Sequence, residues 1–149
     1  MKKINIEEAP VSAGSRYPEP FSAPCVNKLR RRLGVAAKLK RIGINLLELC
    51  PGAWSSQRHW HTEAEEFAYI LEGEVVLVTN AGEETLRAGD CTGFLLGDRD
   101  GHHLQNRTNA MARVLEIGSA NLRNDEGHYP DVDLHSTAAG YFRKDGTPY

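Results

Sequence analysis

Residues 59–79 read HWHTEAEEFAYILEGEVVLVT and carry the strongest structural pattern of the chain. Two runs rich in β-branched and aromatic residues, 67–71 and 75–79, flank Glu72-Gly73, which is the composition of two short strands joined by a turn. His59-Trp60-His61 stands just before them. Side chains at positions i and i+2 of a strand share one face, so both imidazoles can lean toward one point. This stretch predicts a β-fold that carries a histidine pair.

Short strands continue on both sides of this stretch. Residues 42–49 form a run closed by Pro51-Gly52. Later strands are predicted at 85–87, 94–96 and 111–117, with turns at 80–83 and 88–90. Several runs are apolar on both faces, as in strands covered on both sides in a barrel or sandwich, and none has a helical period longer than a turn or two. An all-β jelly-roll barrel with a cavity at its mouth is the expected fold.

Length and charge restrict the function classes. A chain of 149 residues is expected to form a single domain, 1–149. A net charge of -2 and a pI near 6.3 provide no general attraction to nucleic acid or to a membrane, and no apolar run is long enough to span one. The first residues lack the apolar stretch of a secretory signal, so a cytoplasmic location is expected. Cys25, Cys50 and Cys91 are scattered and odd in number, which indicates reduced thiols.

The domain divides into an N-terminal arm (1–40), a barrel core (41–120) and a C-terminal extension (121–149). Four prolines and a glycine interrupt any regular period in the arm, so the arm is predicted to be extended. The long arm and tail favour wrapping in a homodimer.

A basic cluster lies at the end of the arm. Its members are Lys28, Arg30, Arg31, Arg32, Lys38, Lys40 and Arg41. A phosphate or nucleic-acid patch is one interpretation. A solvated surface is favoured, because the rest of the chain is acidic.

Further metal-binding side chains accompany the histidine pair. Glu66 follows it closely, and His102-His103 comes about forty residues later. Mixed imidazole and carboxylate groups suit a borderline or hard divalent metal. Each histidine alone is as well explained by ordinary hydrogen bonding. If the groups converge, the sequence predicts a metal site with room for a substrate.

Two segments together resemble the cupin motifs. Residues 52–73 are similar to the first motif, G-x5-H-x-H-x3-4-E-x6-G, with one extra residue after the first glycine. Residues 89–106 are similar to the second, G-x5-P-x-G-x2-H-x3-N. Two departures occur in the second segment: Leu95 replaces the proline, and four residues rather than two separate Gly97 from His102.

The resemblance implies a jelly-roll barrel that holds one divalent metal, commonly iron, manganese, nickel or zinc. By motif position the implied ligands are His59, His61, Glu66 and His102, and Glu66 is also the implied catalytic residue. Strand alternation places Glu66, Ala68 and Ile70 on the inner wall.

The choice between His102 and His103 depends on the register of their strand. Adjacent side chains of a strand point to opposite faces, so only one histidine can face the barrel interior. The motif selects His102. A bulge within 98–101 would instead present His103.

Two function classes remain. Three imidazoles and one carboxylate leave two octahedral positions open on a metal, which suits an enzyme. The resemblance implies a dioxygenase, sugar-phosphate isomerase or lyase acting on a small polar or anionic metabolite. The alternative is a non-catalytic small-ligand-binding or sensory protein. Residues 55–58 are candidates for anion recognition or for an exposed strand edge, and Asp131 and Asp133 are predicted to face solvent.

Overall fold

The computed structural model describes residues 3–149, and nearly all of its regular structure is β. The thirteen strands of this part are β1 (Val11–Ala13), β2 (Lys28–Arg31), β3 (Ile42–Leu49), β4 (Trp60–His61), β5 (Glu66–Glu72), β6 (Glu74–Thr79), β7 (Gly82–Arg87), β8 (Cys91–Phe94), β9 (His103–Gln105), β10 (Ala112–Ser119), β11 (Gly127–Tyr129), β12 (Leu134–Thr137) and β13 (Gly140–Phe142). The helices are α1 (Leu33–Ala36) and 3-10 turns at Ile6–Glu8 and Ala23–Cys25. None of these helices is long and apolar enough to cross a membrane.

The strands form three antiparallel sheets. The largest has the order β1-β2-β3-β10-β5-β8, and the others are β7-β6-β9 and β13-β12-β11-β4. Strands that are close in sequence are often separated in this order, for example β3 and β5 by β10. The predicted all-β, jelly-roll fold is confirmed, and the strand predicted at 42–49 has these bounds in the structure.

The hydrophobic core fills the space between the six-stranded and three-stranded sheets. Its members include Leu47, Leu49, Ile70 and Val114 from the first sheet and Val75, Leu77, Leu86 and Leu104 from the second. Burial of each large aliphatic side chain contributes about 1.5–3 kcal/mol. The opposite face of β5 exposes Phe67, Tyr69 and Leu71, so this strand is not covered on both sides as its apolar composition suggested.

Gly73 makes the tight connection between β5 and β6. Its φ is +79°, and a Cβ atom at this position would lie 2.9 Å from the carbonyl oxygen of Met111. Both observations require glycine. The turn brings β6 back over the core and leaves Glu66 at the far end of β5.

The strand predicted at 94–96 is shifted. β8 ends at Phe94, and Leu95 and Leu96 lie in an exposed turn. The physical reason is the partner strand: Phe94 pairs with Glu66, which is the first residue of β5, so the ladder has no partner beyond this point.

The N-terminal arm contains regular structure that its prolines concealed. β1 and β2 extend the large sheet, and β2 pairs with β3 from Lys28 opposite Leu49 to Arg31 opposite Leu46. The sheet therefore crosses the boundary drawn at residue 40. Because side chains alternate along β2, Lys28 and Arg30 share one face of this strand.

Candidate metal centre and ligand pocket

The four side chains selected by the motifs converge. His59 and His102 face each other in an antiparallel bridge, His61 ends β4, and Glu66 begins β5. Glu66 Oε2 lies 2.9 Å from His102 Nε2, 3.8 Å from His61 Nε2 and 3.9 Å from His59 Nε2. The structure thus directs the Nε2 atoms of three imidazoles toward one carboxylate oxygen.

Each of these imidazoles forms a hydrogen bond through its Nδ1 atom. The acceptors are the Gln57 carbonyl for His59 (3.0 Å), the Asp125 carboxylate for His61 (2.6 Å) and the Asp100 carbonyl for His102 (3.3 Å). An Nδ1–H that donates to such an acceptor would fix the ring and leave the Nε2 lone pair for a metal, which would replace the contact of His102 Nε2 with Glu66. Asp125 also accepts hydrogen bonds from the backbone of Glu63 and Ala64. The donor set therefore fits a divalent cation.

Burial and mutual interaction set the charges of this cluster. Burial lowers the pKa of His59 to about 4, so its imidazole is neutral at pH 7. Burial by itself would raise the pKa of Glu66. The hydrogen bond from His102 and the three neighbouring imidazoles outweigh it and hold that pKa at about 2. A neutral His59 imidazole beside an ionised Glu66 carboxylate is in the protonation state that metal binding requires.

The two adjacent histidines point in opposite directions, as strand alternation predicts. His102 faces Glu66 and stacks on Phe94 with a centroid separation of 3.4 Å. His103 donates from Nδ1 to the Ser56 carbonyl at 2.9 Å, and its ring packs edge-on against Trp54. The register in the structure places His102 rather than His103 beside the carboxylate.

Two cavities meet at Glu66 and His102. The larger has a volume of about 460 Å³, and the smaller, of about 230 Å³, is also lined by His61. Polar and aromatic residues that line the larger cavity include Tyr17, Lys28, Arg30, Asn45, Ser55, His59, Glu116 and Tyr141. This space can accept a small polar molecule beside the cluster.

Lys28 and Arg30 line this cavity, so the solvated-surface interpretation is wrong for these two members of the basic cluster. Arg30 binds the Glu116 carboxylate through two contacts, at 2.6 and 2.9 Å. Lys28 is 7% exposed and donates to the Ser55 carbonyl at 2.5 Å. It forms no salt bridge with any carboxylate in the described part of the chain. Burial, followed by the charge of Arg30, lowers the pKa of Lys28 to about 8.

The alternation of cations in Lys28-Leu29-Arg30 could have indicated from the sequence that Lys28 and Arg30 share one face of a strand. The surrounding basic residues concealed it. Lys38, Lys40 and Arg41 are exposed, as expected for a solvated surface.

Of the two interpretations of residues 55–58, an exposed strand edge is wrong, because Ser55 and Gln57 are buried. Gln57 is buried and donates to the Phe21 carbonyl at 2.7 Å. Arg58 binds the Asp131 carboxylate through two contacts, at 2.6 and 2.7 Å. Asp131 is therefore ion-paired, although it is exposed as predicted. Ser55 and Ser56 line the larger cavity, and Arg58 does not.

Comparison with known proteins identifies relatives of the same architecture. A family profile described as "Cupin domain" matches residues 45–118. A structure described as a sugar phosphate isomerase from a cupin superfamily, from Silicibacter pomeroyi, is 38% identical, with a TM-score of 0.92 over 99% of this chain and 96% of that chain. A second structure, from Acidithiobacillus ferrooxidans and provisionally described as a sugar phosphate isomerase, is 27% identical with a TM-score of 0.70, covering 77% of this chain and 74% of that one.

A curated relative has a different role. The tetracenomycin polyketide synthase protein TcmJ of Streptomyces glaucescens is 31% identical over 94 residues, which are 62% of this chain. The matched region spans 61% of the length of TcmJ. The family match, the jelly-roll fold and the full-length similarity to the Silicibacter protein together establish that this chain belongs to the cupin superfamily.

Proposed function

We propose that this protein is a metal-dependent isomerase of a sugar phosphate. The observation that carries the proposal is Lys28, a buried cation that forms no salt bridge among residues 3–149 and lines the same cavity as His59, Glu66 and His102. An isolated buried charge is costly unless a counter-ion pairs with it. An anionic substrate supplies that counter-ion. The 38% identity to a protein described as a sugar phosphate isomerase supports the same assignment.

In this proposal His59, His61, Glu66 and His102 bind one divalent cation, which would polarise the carbonyl oxygen of an open-chain sugar. Isomerisation moves one proton between adjacent carbons and one from the neighbouring hydroxyl to the carbonyl oxygen, without net oxidation. Zinc or manganese therefore fits this reaction better than a redox-active ion.

The residues around the cavity orient the substrate. Lys28 Nζ attracts the phosphate, while Glu116 neutralises Arg30 and keeps its guanidinium in place beside Lys28. Tyr17 and Tyr141, whose ring centroids lie 5.4 Å apart, line the same cavity. Burial raises the pKa of both phenols, so they remain hydrogen-bond donors for sugar hydroxyls at neutral pH.

The test uses protein reconstituted with zinc or manganese and a panel of aldose and ketose phosphates in deuterated water. Proton transfer through an enediol incorporates deuterium next to the carbonyl, which NMR detects even when the equilibrium lies to one side. We expect exchange with at least one phosphate and at least tenfold less with the corresponding unphosphorylated sugar. Binding of sugar phosphates without exchange would support the alternative ligand-binding function. The absence of both exchange and binding across the panel would refute the isomerase function and the ligand-binding function.

A further inference from the structure

A second cluster of metal-binding side chains lies in the four-stranded sheet, outside the pocket. His128 on β11 and His135 on β12 are directly opposite each other in the ladder. Glu126 stands two residues before His128. The Glu126 Oε2 atom lies 3.0 Å from His135 Nε2 and 3.5 Å from His128 Nε2. One ligand atom from each residue lies within 4.8 Å of both others.

These separations match those in a tetrahedral site. Zinc bonds of about 2.0–2.1 Å to nitrogen and oxygen at tetrahedral angles place ligand atoms about 3.3 Å apart. The two distances from Glu126 bracket this value, and the ligand atoms of His128 and His135 lie within 4.8 Å of each other.

A ring stack holds the two imidazoles in this arrangement. His128 stacks on His135 with a centroid separation of 4.7 Å and on Trp60 with a separation of 4.3 Å. The stack limits rotation of both rings, so little side-chain freedom is lost on binding. Partial burial, followed by the proximity of His135, lowers the pKa of His128 and favours the neutral imidazole that a metal needs.

The cluster is also accessible. His128 and Glu126 are 35% and 43% exposed, so a cation can enter and water can complete its coordination. Glu126 follows Asp125, the residue whose carboxylate forms a hydrogen bond with His61 Nδ1. The Glu126 backbone is tied to Thr62 in both directions, at 2.9 and 3.1 Å. An ion bound here would therefore stabilise the β11–β12 hairpin next to Asp125, which binds a candidate ligand of the first site.

We propose that Glu126, His128 and His135 form a second metal site, which takes a borderline divalent cation such as Zn²⁺ and clips β11 to β12. Two imidazoles and one carboxylate are a donor set suited to Zn²⁺. The site is separate from the Lys28 pocket and does not depend on the nature of the substrate.

The experiment measures zinc stoichiometry of the chelator-stripped full chain after reconstitution and removal of loosely bound metal. A Glu66→Ala/His102→Ala variant removes two groups of the first site without altering the four-stranded sheet. We expect about two equivalents of Zn²⁺ in the wild-type chain and about one in this double variant. Adding His135→Asn to the double variant should remove the remaining equivalent, and His135→Asn alone should leave one.

A second readout protects the test against misfolding. Trp60 stacks on His128, so Cu²⁺ in the double variant should quench tryptophan fluorescence. His128→Gln in the same background should abolish this quenching while circular dichroism shows an intact fold. Asp133→Asn is the matched control, because Asp133 lies near β12 but outside the cluster, and it should change neither readout. A double variant that binds no zinc, or a bound equivalent that survives both His135→Asn and His128→Gln, would overturn the proposal.

Discussion

Replacement of Lys28 by methionine should make the protein more stable and bind phosphates less well. Methionine keeps the length of the side chain and removes the charge. Burial lowers the pKa of Lys28 from 10.5 to about 8. A difference of this size corresponds to about 3 kcal/mol of unfavourable free energy for the charged form in the folded protein.

The sign of the pH dependence follows from linkage. The folded-state pKa is below the unfolded-state value, so between pH 8 and pH 10.5 the unfolded chain binds more protons at this residue. The penalty is fully present below pH 8 and disappears as the pH rises to 10.5. The stability advantage of Lys28→Met over the wild type should therefore fall by about 3 kcal/mol between pH 7 and pH 10.5.

Urea denaturation of both proteins at several pH values measures this difference, because other titrating groups cancel in the comparison. Lys40→Met is the matched control: Lys40 is exposed, and its replacement should give a small and pH-independent change. A Lys28→Met protein that is less stable than the wild type by the same amount at every pH would refute the reasoning. Such a result would mean that Lys28 is a structural residue with an ordinary charge.

Phosphate binding supplies the second half of this prediction. A charge pair about 4 Å apart near a protein surface contributes about 4 kcal/mol, so loss of Lys28 should weaken inorganic phosphate or sugar phosphate binding by up to about 1,000-fold. Binding to the wild type should also weaken as the pH rises above 8, because Lys28 then loses its proton. Calorimetric titration measures both effects. Unchanged affinity in Lys28→Met would place the anion elsewhere.

Three further predictions concern the first site and the fold. Asp125→Asn should lower metal affinity about 10- to 100-fold, measured by competition with a chelator, because the amide supports His61 less well than the carboxylate does. Unchanged affinity would show that this contact does not tune the site. His102→Ala should lower metal content while His103→Ala retains it, and the reverse pattern in elemental analysis would contradict the register seen here. Gly73→Ala should reduce the free energy of unfolding by more than about 1 kcal/mol, because φ is positive and the added methyl group meets the Met111 carbonyl. Urea denaturation checks this value, and an unchanged midpoint would mean that the turn relaxes.

The jelly-roll fold and the first cluster were predictable because they follow from patterns within short segments of the sequence. The spacing of His59 and His61 with Glu66 reflects one strand face and one turn, and the alternation around His102 reflects one strand. The end of a strand was harder to predict from the sequence where it depends on the end of the partner strand. β8 ends at Phe94 because its partner β5 begins at Glu66, and no residue near Leu95 records that fact.

Other parts of the site depend on pairings between distant segments. Lys28 reaches the cavity only because β2 adds to β3, and the arm carries too few apolar residues to reveal this short strand. The positions of Asp125 and of the second cluster depend on how β11 pairs with β4 and β12. A single sequence contains no period that indicates these registers, because β2, β4, β11 and β12 are only two to four residues long.

The support that Asp125 provides for His61 has a consequence for the smallest fragment that can work. All four candidate ligands precede residue 103, and the matched family region is 45–118, yet Asp125 follows that region and Lys28 precedes it. A fragment trimmed to the matched region would keep all four candidate ligands. It would lose Asp125, which forms a hydrogen bond with His61, and Lys28, which lines the cavity. Among relatives, sequence similarity within that region indicates a shared fold. The residues at the positions of Lys28 and Asp125 indicate whether the pocket has the same cation and the same hydrogen-bond acceptor for His61.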